Sequence, residues 1–191
     1  CSSSEAVSTT GTKTGCMKWY TFNDEGASTV NLLLDHNTTA KVVWVSKADY
    51  IEAGGTKAEW GEYGNNSKGP ITALKQLESD TSSWNKSINP RLIEASEIAK
   101  ITGNTTWTVG VGESYYYFHD NTQTTYEGAA GTNKYAWLFD NTRECTTYGC
   151  NVADSSNYGY WTNTAYSGDS SSAWRVDFSG ALSYNNVNAA G

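Results

Sequence analysis

The sequence predicts an α+β domain, with two helices in mid-chain and a β-rich C-terminal half broken by long irregular loops. Three observations lead there. Apolar residues recur at helical spacing near residues 71–84 and again near 94–101. Beyond Gly103 the pattern changes to short alternating runs between Gly- and Asn-rich loops. Eight Trp and thirteen Tyr stand against one Met and two Pro, so bulky aromatic cores separated by many turns are expected. At 191 residues the chain has the length of one domain with a real core.

Residues 1–15 are small and polar and read as a tether, leaving 16–191 as the domain. Val30 to Leu34 and Val42 to Val45 read as strands on either side of an Asp35-His36-Asn37-Thr38-Thr39 turn. Residues 53–69, with Gly54-Gly55 and Gly64-Asn65-Asn66, read as a long loop. Pro70 is suited to open a helix, and Ile71, Leu74, Leu77 and Trp84 give it an apolar stripe. Asn89-Pro90 interrupts, and Arg91-Leu92-Ile93 is a short extended piece. The second helix spans about Glu94 to Ile101, with Ile98 and Ile101 inward and Gly103 as its stop. No further helix is expected, and two helices before a β-rich half is α+β.

The final hairpin can be read to its register. Trp174, Val176 and Phe178 alternate with Arg175 and Asp177, while Leu182 and Tyr184 alternate with Ser183 and Asn185. A two-residue Ser179-Gly180 loop sets the apolar residues opposite polar ones. A three-residue loop, Ser179 to Ala181, pairs Phe178 with Leu182 and Val176 with Tyr184, gathering the apolar set on one face. Arg175, Asp177, Ser183 and Asn185 then face solvent.

Net charge −7 without a basic stripe argues against nucleic acid as a partner. No run of about 18 apolar residues suits a membrane span. The four cysteines form two local pairs, Cys1/Cys16 and Cys145/Cys150, which indicates disulfides and an oxidising, extracellular compartment. Three connectivities are open, and local spacing favours Cys1–Cys16 with Cys145–Cys150. The alternatives are free thiols, or a lipidated Cys1 that strands Cys16. A chain beginning at Cys1 reads as processed or trimmed.

Catalytic patterns are wanting. His36 sits in a turn signal and His119 ends an aromatic run, so each reads as a surface or capping residue. Gly-x-Ser-x-Gly, His-Glu-x-x-His, a Walker loop and a Cys-x-x-Cys spacing do not occur. Asp120-Asn121-Thr122-Gln123-Thr124 offers oxygens at alternate positions but lacks the turning Gly of a calcium loop. No enzyme and no cofactor is expected, with calcium left as the alternative. The aromatic cluster Tyr158, Tyr160, Trp161, Tyr166, Trp174 and Tyr184 has two readings. Trp161 and Trp174 read as core that holds the hairpin. Tyr158, Tyr166 and the polar hairpin face read as a recognition surface, because Tyr, Ser, Asn and Gly suit adaptable contact surfaces.

Arg91-Leu92-Ile93-Glu94-Ala95-Ser96-Glu97-Ile98-Ala99 resembles the strand-to-helix signature of C-type-lectin folds of the formylglycine-generating-enzyme type. Gly159-Tyr160-Trp161-Thr162-Asn163-Thr164, Ser170 to Trp174, and the hairpin from Trp174 to Asn188 are similar to the C-terminal segment of bacterial surface proteins with that fold. Leu34 to Ala40 and Cys145 to Cys150 are similar to pilin-type surface proteins. The resemblance spans about 16–188. It implies a C-type-lectin-like scaffold, also used by the variable proteins of diversity-generating retroelements, in which the last Trp-flanked, Asn/Tyr/Ser-rich stretch displays the ligand surface. Here that stretch runs from Tyr158 to Asn188, and it adds Tyr160, Asn163 and Asp169 to the candidate contacts Tyr158, Tyr166, Arg175, Asp177, Ser183 and Asn185. One departure is that relatives continue after the last Gly with a further strand, whereas this chain stops at Gly191, trimmed or lacking a core strand.

The expectation is a non-catalytic, adhesin-like module on a bacterial cell surface, binding a protein or glycan ligand on another cell or host surface. The alternative is a pilin-like structural subunit that self-associates into a filament. A filament subunit should show an apolar patch or a borrowed strand, and a binder should show irregular, aromatic-studded polar loops.

Overall fold

A computed structural model describes residues 19–22, 28, 30–34, 41–82, 84, 89–104, 106–109, 114–116, 138, 159–177 and 181–190. The fold is α+β. Three helices occur among the described residues: α1 (Lys47–Glu52), α2 (Ile71–Thr81) and α3 (Ala95–Ile101). One small antiparallel sheet pairs β1 (Trp19–Phe22) with β2 (Asn31–Leu34). The other is four-stranded and antiparallel, built from β3 (Tyr115–Tyr116), β4 (Tyr160–Ala165), β5 (Ser172–Val176) and β6 (Ala181–Asn186) in the order β3-β6-β5-β4. No helix among the described residues is long and apolar enough to cross a membrane.

α3 follows directly from local chemistry. Glu94 and Glu97 form a reciprocal capping box at its start. Arg91 forks onto the Glu97 carboxylate at 2.6 and 2.7 Å. At its end Gly103 takes φ +78°, which lets the Asn104 N–H reach the Ala99 carbonyl and its own N–H reach that of Lys100. Ile98 is fully buried and Ile101 half-buried, as their spacing predicts.

The first helix is a correction. Two helices were expected, and α1 is a third. Its cap is the Ser46 hydroxyl, which accepts from the Asp49 N–H at 3.1 Å. The neighbouring Val42 to Val45 run is not a strand paired across a turn with β2. It makes only an isolated bridge, Val43 with Ala190, and the Val45 N–H donates to Val187. Burial explains its apolar character: Trp44 and Val45 are wholly enclosed. The strand that pairs with β2 is β1, in the register Trp19 opposite Leu34.

α2 begins one residue after Pro70, which stands at the capping position. Its stripe also needs correcting. Leu74 is 40% exposed, and the buried positions are Ala73 and Thr81, with Ile71 and Leu77 half-buried. Ala73 sets this rotation. Its N–H donates to the Trp44 carbonyl at 3.3 Å, while the Thr72 hydroxyl accepts from the Ser46 N–H at 2.7 Å. With that face turned inward, residue 74 lies about 100° round the helix from 73. Trp84 lies beyond the helix and meets Trp19 edge-on.

The final hairpin is β5 and β6. Val176 pairs with Leu182 and Trp174 with Tyr184, so the predicted pairing of Val176 with Tyr184 is two residues out. A slip of two keeps every side chain on its expected face. The hairpin ends are tied by the Asp177 N–H donating to Ala181 at 3.0 Å. Phe178 and the rest of 178–180 lie outside the described residues.

Both faces of β5 meet a core. On one, Trp174, Val176 and Leu182 pack with Ile93, Ala95, Ile98, Trp107 and Phe22. On the other, Ala173 and Trp161 pack with Trp44, Val45, Tyr50 and Val187. The loop of 53–69 is as expected, with left-handed glycines at Gly54, Gly64 and Gly69. The 1–15 tether, all four cysteines, His36, His119 and the 120–124 segment lie outside the described residues.

Candidate ligand-binding surface

The connection from β4 to β5 is a polar loop, Ser167-Gly168-Asp169-Ser170-Ser171, exposed up to the half-buried Ser171. It is closed by the Tyr166 N–H donating to Ser172 at 3.0 Å. Asp169 organises its tip, accepting from the Ser171 N–H at 2.7 Å and from the Ser171 and Ser172 hydroxyls at 3.0 and 3.1 Å. Gly168 is needed because a Cβ there would lie 2.4 Å from the Tyr166 ring.

Asn66 clamps this loop from a distant part of the chain. Its amide nitrogen points at the carbonyls of Tyr166, Asp169 and Ser172 at 2.9, 2.9 and 2.8 Å. Two N–H hydrogens serve three acceptors, so at least one is shared. The Asn66 backbone N–H donates to Ser170 at 2.7 Å. A loop tied this way is pre-ordered, which lowers the entropic cost of binding.

Beside the loop stands an aromatic ledge. Tyr166 and Tyr184 stack with centroids 4.0 Å apart, and both meet Trp174 edge-on. Trp174 is fully buried and Tyr184 is 40% exposed. Tyr184 therefore joins a rigid base to solvent.

β4 carries a bulge: the step from Trp161 to Ala165 lies opposite the shorter step from Arg175 to Ala173. The bulge docks the sheet on α3. Thr164 and Asn163 each donate to the Glu94 carboxylate at 2.6 Å, the Ala95 N–H donates to Thr164 Oγ1 at 3.0 Å, and the Asn163 N–H to Ile93 at 2.9 Å. Trp44 donates its indole N–H to the Thr162 carbonyl at 2.9 Å, fixing the other side.

The expected contacts do not form one surface. Tyr158 lies outside the described residues. Tyr160 is half-buried against the α3-side core, and its hydroxyl donates to the Leu138 carbonyl at 2.9 Å. Asn163 is exposed but serves the bulge. Tyr166 and Asp169 belong to the ledge and loop. Asp177, at the opposite end of β5, accepts from the Ala181 N–H at 3.2 Å. Arg175, Asp177, Ser183 and Asn185 were expected to face solvent and are half-buried. The reason is the second core, which covers part of the face that alternation marked as polar.

Sequence reasoning missed Asn66 and the outward role of Tyr184. Asn66 gave no local signal, since its partners are 100 to 106 residues away. Tyr184 was grouped with the apolar face, and only its place at the margin of that face exposes it. Among the described residues no three His, Cys, Asp or Glu side chains come together as a metal site.

The ionisable groups that shift sit at structural joints. Hydrogen bonds from Lys75 and Thr72 hold the Asp49 carboxyl below its ordinary value. Burial pushes Glu97 up, but the Arg91 guanidinium and the Glu94 N–H outweigh it, leaving Glu97 below its ordinary value. Burial pushes the Arg175 guanidinium down, with the Asp177 charge opposing.

No protein-family model matches this chain, and no curated protein or solved structure matches it at a significant level.

Proposed function

We propose that this chain is a non-catalytic ligand-binding module of a bacterial cell surface, adhesin-like, on a C-type-lectin-like scaffold, and that it works outside the cell. The observation that carries the reading is the clamped 167–171 loop beside the exposed Tyr184. Rigid aromatic groups next to small polar ones supply contact area and hydrogen bonds with little ordering cost. The ligand is a protein or a glycan on another cell or host surface. The test is binding of the labelled module to bacterial and host cells and to a glycan array, with Tyr184→Ala and Asp169→Ala as variants. Binding that falls at least about tenfold in both folded variants supports the reading. Binding unaffected by both, or none to any surface, sinks it.

A second reading, a self-associating pilin-like subunit, is favoured by a different observation. Val30, just before β2, and Leu32 within it are 61% and 49% exposed, and β2 pairs only with β1 among the described residues. Open apolar edges invite another chain. Light scattering of the wild type against Leu32→Lys separates the two: association abolished by the lysine favours the subunit, and a wild-type monomer at high concentration removes it.

A further inference from the structure

We propose that Arg175 anchors a carboxylate of the ligand, an oxyanion subsite in the middle of the four-stranded sheet; the inference rests on reading this sheet as ligand-binding and names the chemistry it takes. Arg175 stands in β5 with Trp161 of β4 on one side and Ser183 of β6 on the other, each directly opposite in register. It is half-buried, and its Nε is sealed from solvent with no hydrogen-bond partner. The guanidinium makes no hydrogen bond or ion pair with any described residue.

Two other cations, Arg91 and Lys75, are paired. Arg91 forks onto Glu97, and Lys75 bridges Asp49 and Glu52 at 2.6 and 2.8 Å. A guanidinium keeps its charge in proteins, so burial leaves it with unmet donors rather than a neutral form. Desolvating such a group without a partner is costly. Asp177 acts on it only through its charge, with no ion pair between them.

The surroundings suit an incoming anion. The Ser183 hydroxyl of the adjacent strand β6 lies 3.4 Å from that of Ser114, just before β3, so two hydroxyls stand on that side of Arg175. Trp161 supplies an apolar wall, its indole N–H already spent on the Val42 carbonyl at 2.9 Å. A planar, singly charged carboxylate matches the donor fork of arginine. Net charge −7 and the nearby Asp177 weigh more heavily against multiply charged anions than against a single carboxylate.

The experiment is an NMR titration of the arginine Nε–Hε resonances with sodium acetate. Sodium chloride at equal ionic strength and neutral methyl acetate are the controls. The Arg175 resonance should move saturably with acetate and with neither control. The accompanying backbone shifts at Trp161 and Ser183 should weaken at least about tenfold in Arg175→Lys and vanish in Arg175→Gln. Should Arg175→Gln fail to fold, the wild-type resonance and the charge-preserving lysine variant still decide. An unmoved Arg175 resonance, or one moved equally by chloride, overturns the proposal. Saturable acetate binding with no attachment to any surface leaves the subsite standing and the surface-binding reading fallen; attachment without acetate binding does the reverse.

Discussion

Tyr166 and Tyr184 lie within 5° of parallel, one from the end of β4 and one from β6, stacked across the edge of the buried Trp174. The stack joins the core of the sheet to its outer loop, so one substitution series can separate stability from recognition. Trp174→Ala should cost about 3–5 kcal/mol, a large aromatic lost from a closed core. Tyr184→Ala should cost far less, since the residue is partly exposed. The coupling between Tyr166 and Tyr184 in a double-mutant cycle should be about 0.5–1.5 kcal/mol. Denaturant melts of the single and double variants measure both. Equal losses at Trp174 and Tyr184 would contradict the assignment of one to the core and the other to the ledge.

Asn66→Ala should free the loop. It leaves the carbonyls of Tyr166, Asp169 and Ser172 without their shared donor, at a cost of about 1–3 kcal/mol where those groups are shielded from water. Amide exchange across 167–171 should speed up while that of α3 stays unchanged. Unaltered exchange in the loop would show that the clamp does not order it.

Gly159→Ala should be among the most damaging small changes. Gly159 takes φ +76°, and a Cβ there would lie 1.8 Å from the Val176 carbonyl oxygen. Left-handed backbone and backbone overlap together should cost more than about 3 kcal/mol. The check is a thermal melt. A wild-type melting temperature would mean that β4 does not enter the sheet this closely to β5.

Acid should loosen the joint at the start of α3. Glu97 has a folded value below its ordinary 4.5, so the unfolded chain binds the proton more readily. The stabilisation is therefore fully present above about pH 4.5 and is lost as pH falls through the folded value. Glu97→Gln should be less stable than wild type by a constant margin near neutrality, and that margin should close below about pH 4. Melts of both proteins from pH 3 to 7 test this, and a margin that widens in acid would reverse the sign.

Much of the fold was legible locally. α3 follows from the spacing of Ile98 and Ile101 and from Gly103, because helical periodicity and a left-handed stop act within a few residues of chain. The faces of the last hairpin follow from alternation, which a register slip of two residues does not disturb. Leu74 and the Val42 to Val45 run misled because apolar spacing records burial without saying what does the burying. A stripe cannot show that Ala73 lies against the Trp44 carbonyl.

By itself the sequence determined an α+β domain, the ends of α3, and which residues of β5 and β6 share a face. Tertiary structure alone decided the rest. It set Val176 opposite Leu182, brought Asn66 onto a loop about a hundred residues later, and packed Trp44 and Val45 where the polar face of the sheet was expected to meet water. The division is physical. Caps, turns and alternation are satisfied by neighbours in the chain, whereas half-burying Arg175 and exposing Tyr184 depend on where distant segments close over the sheet and where they stop.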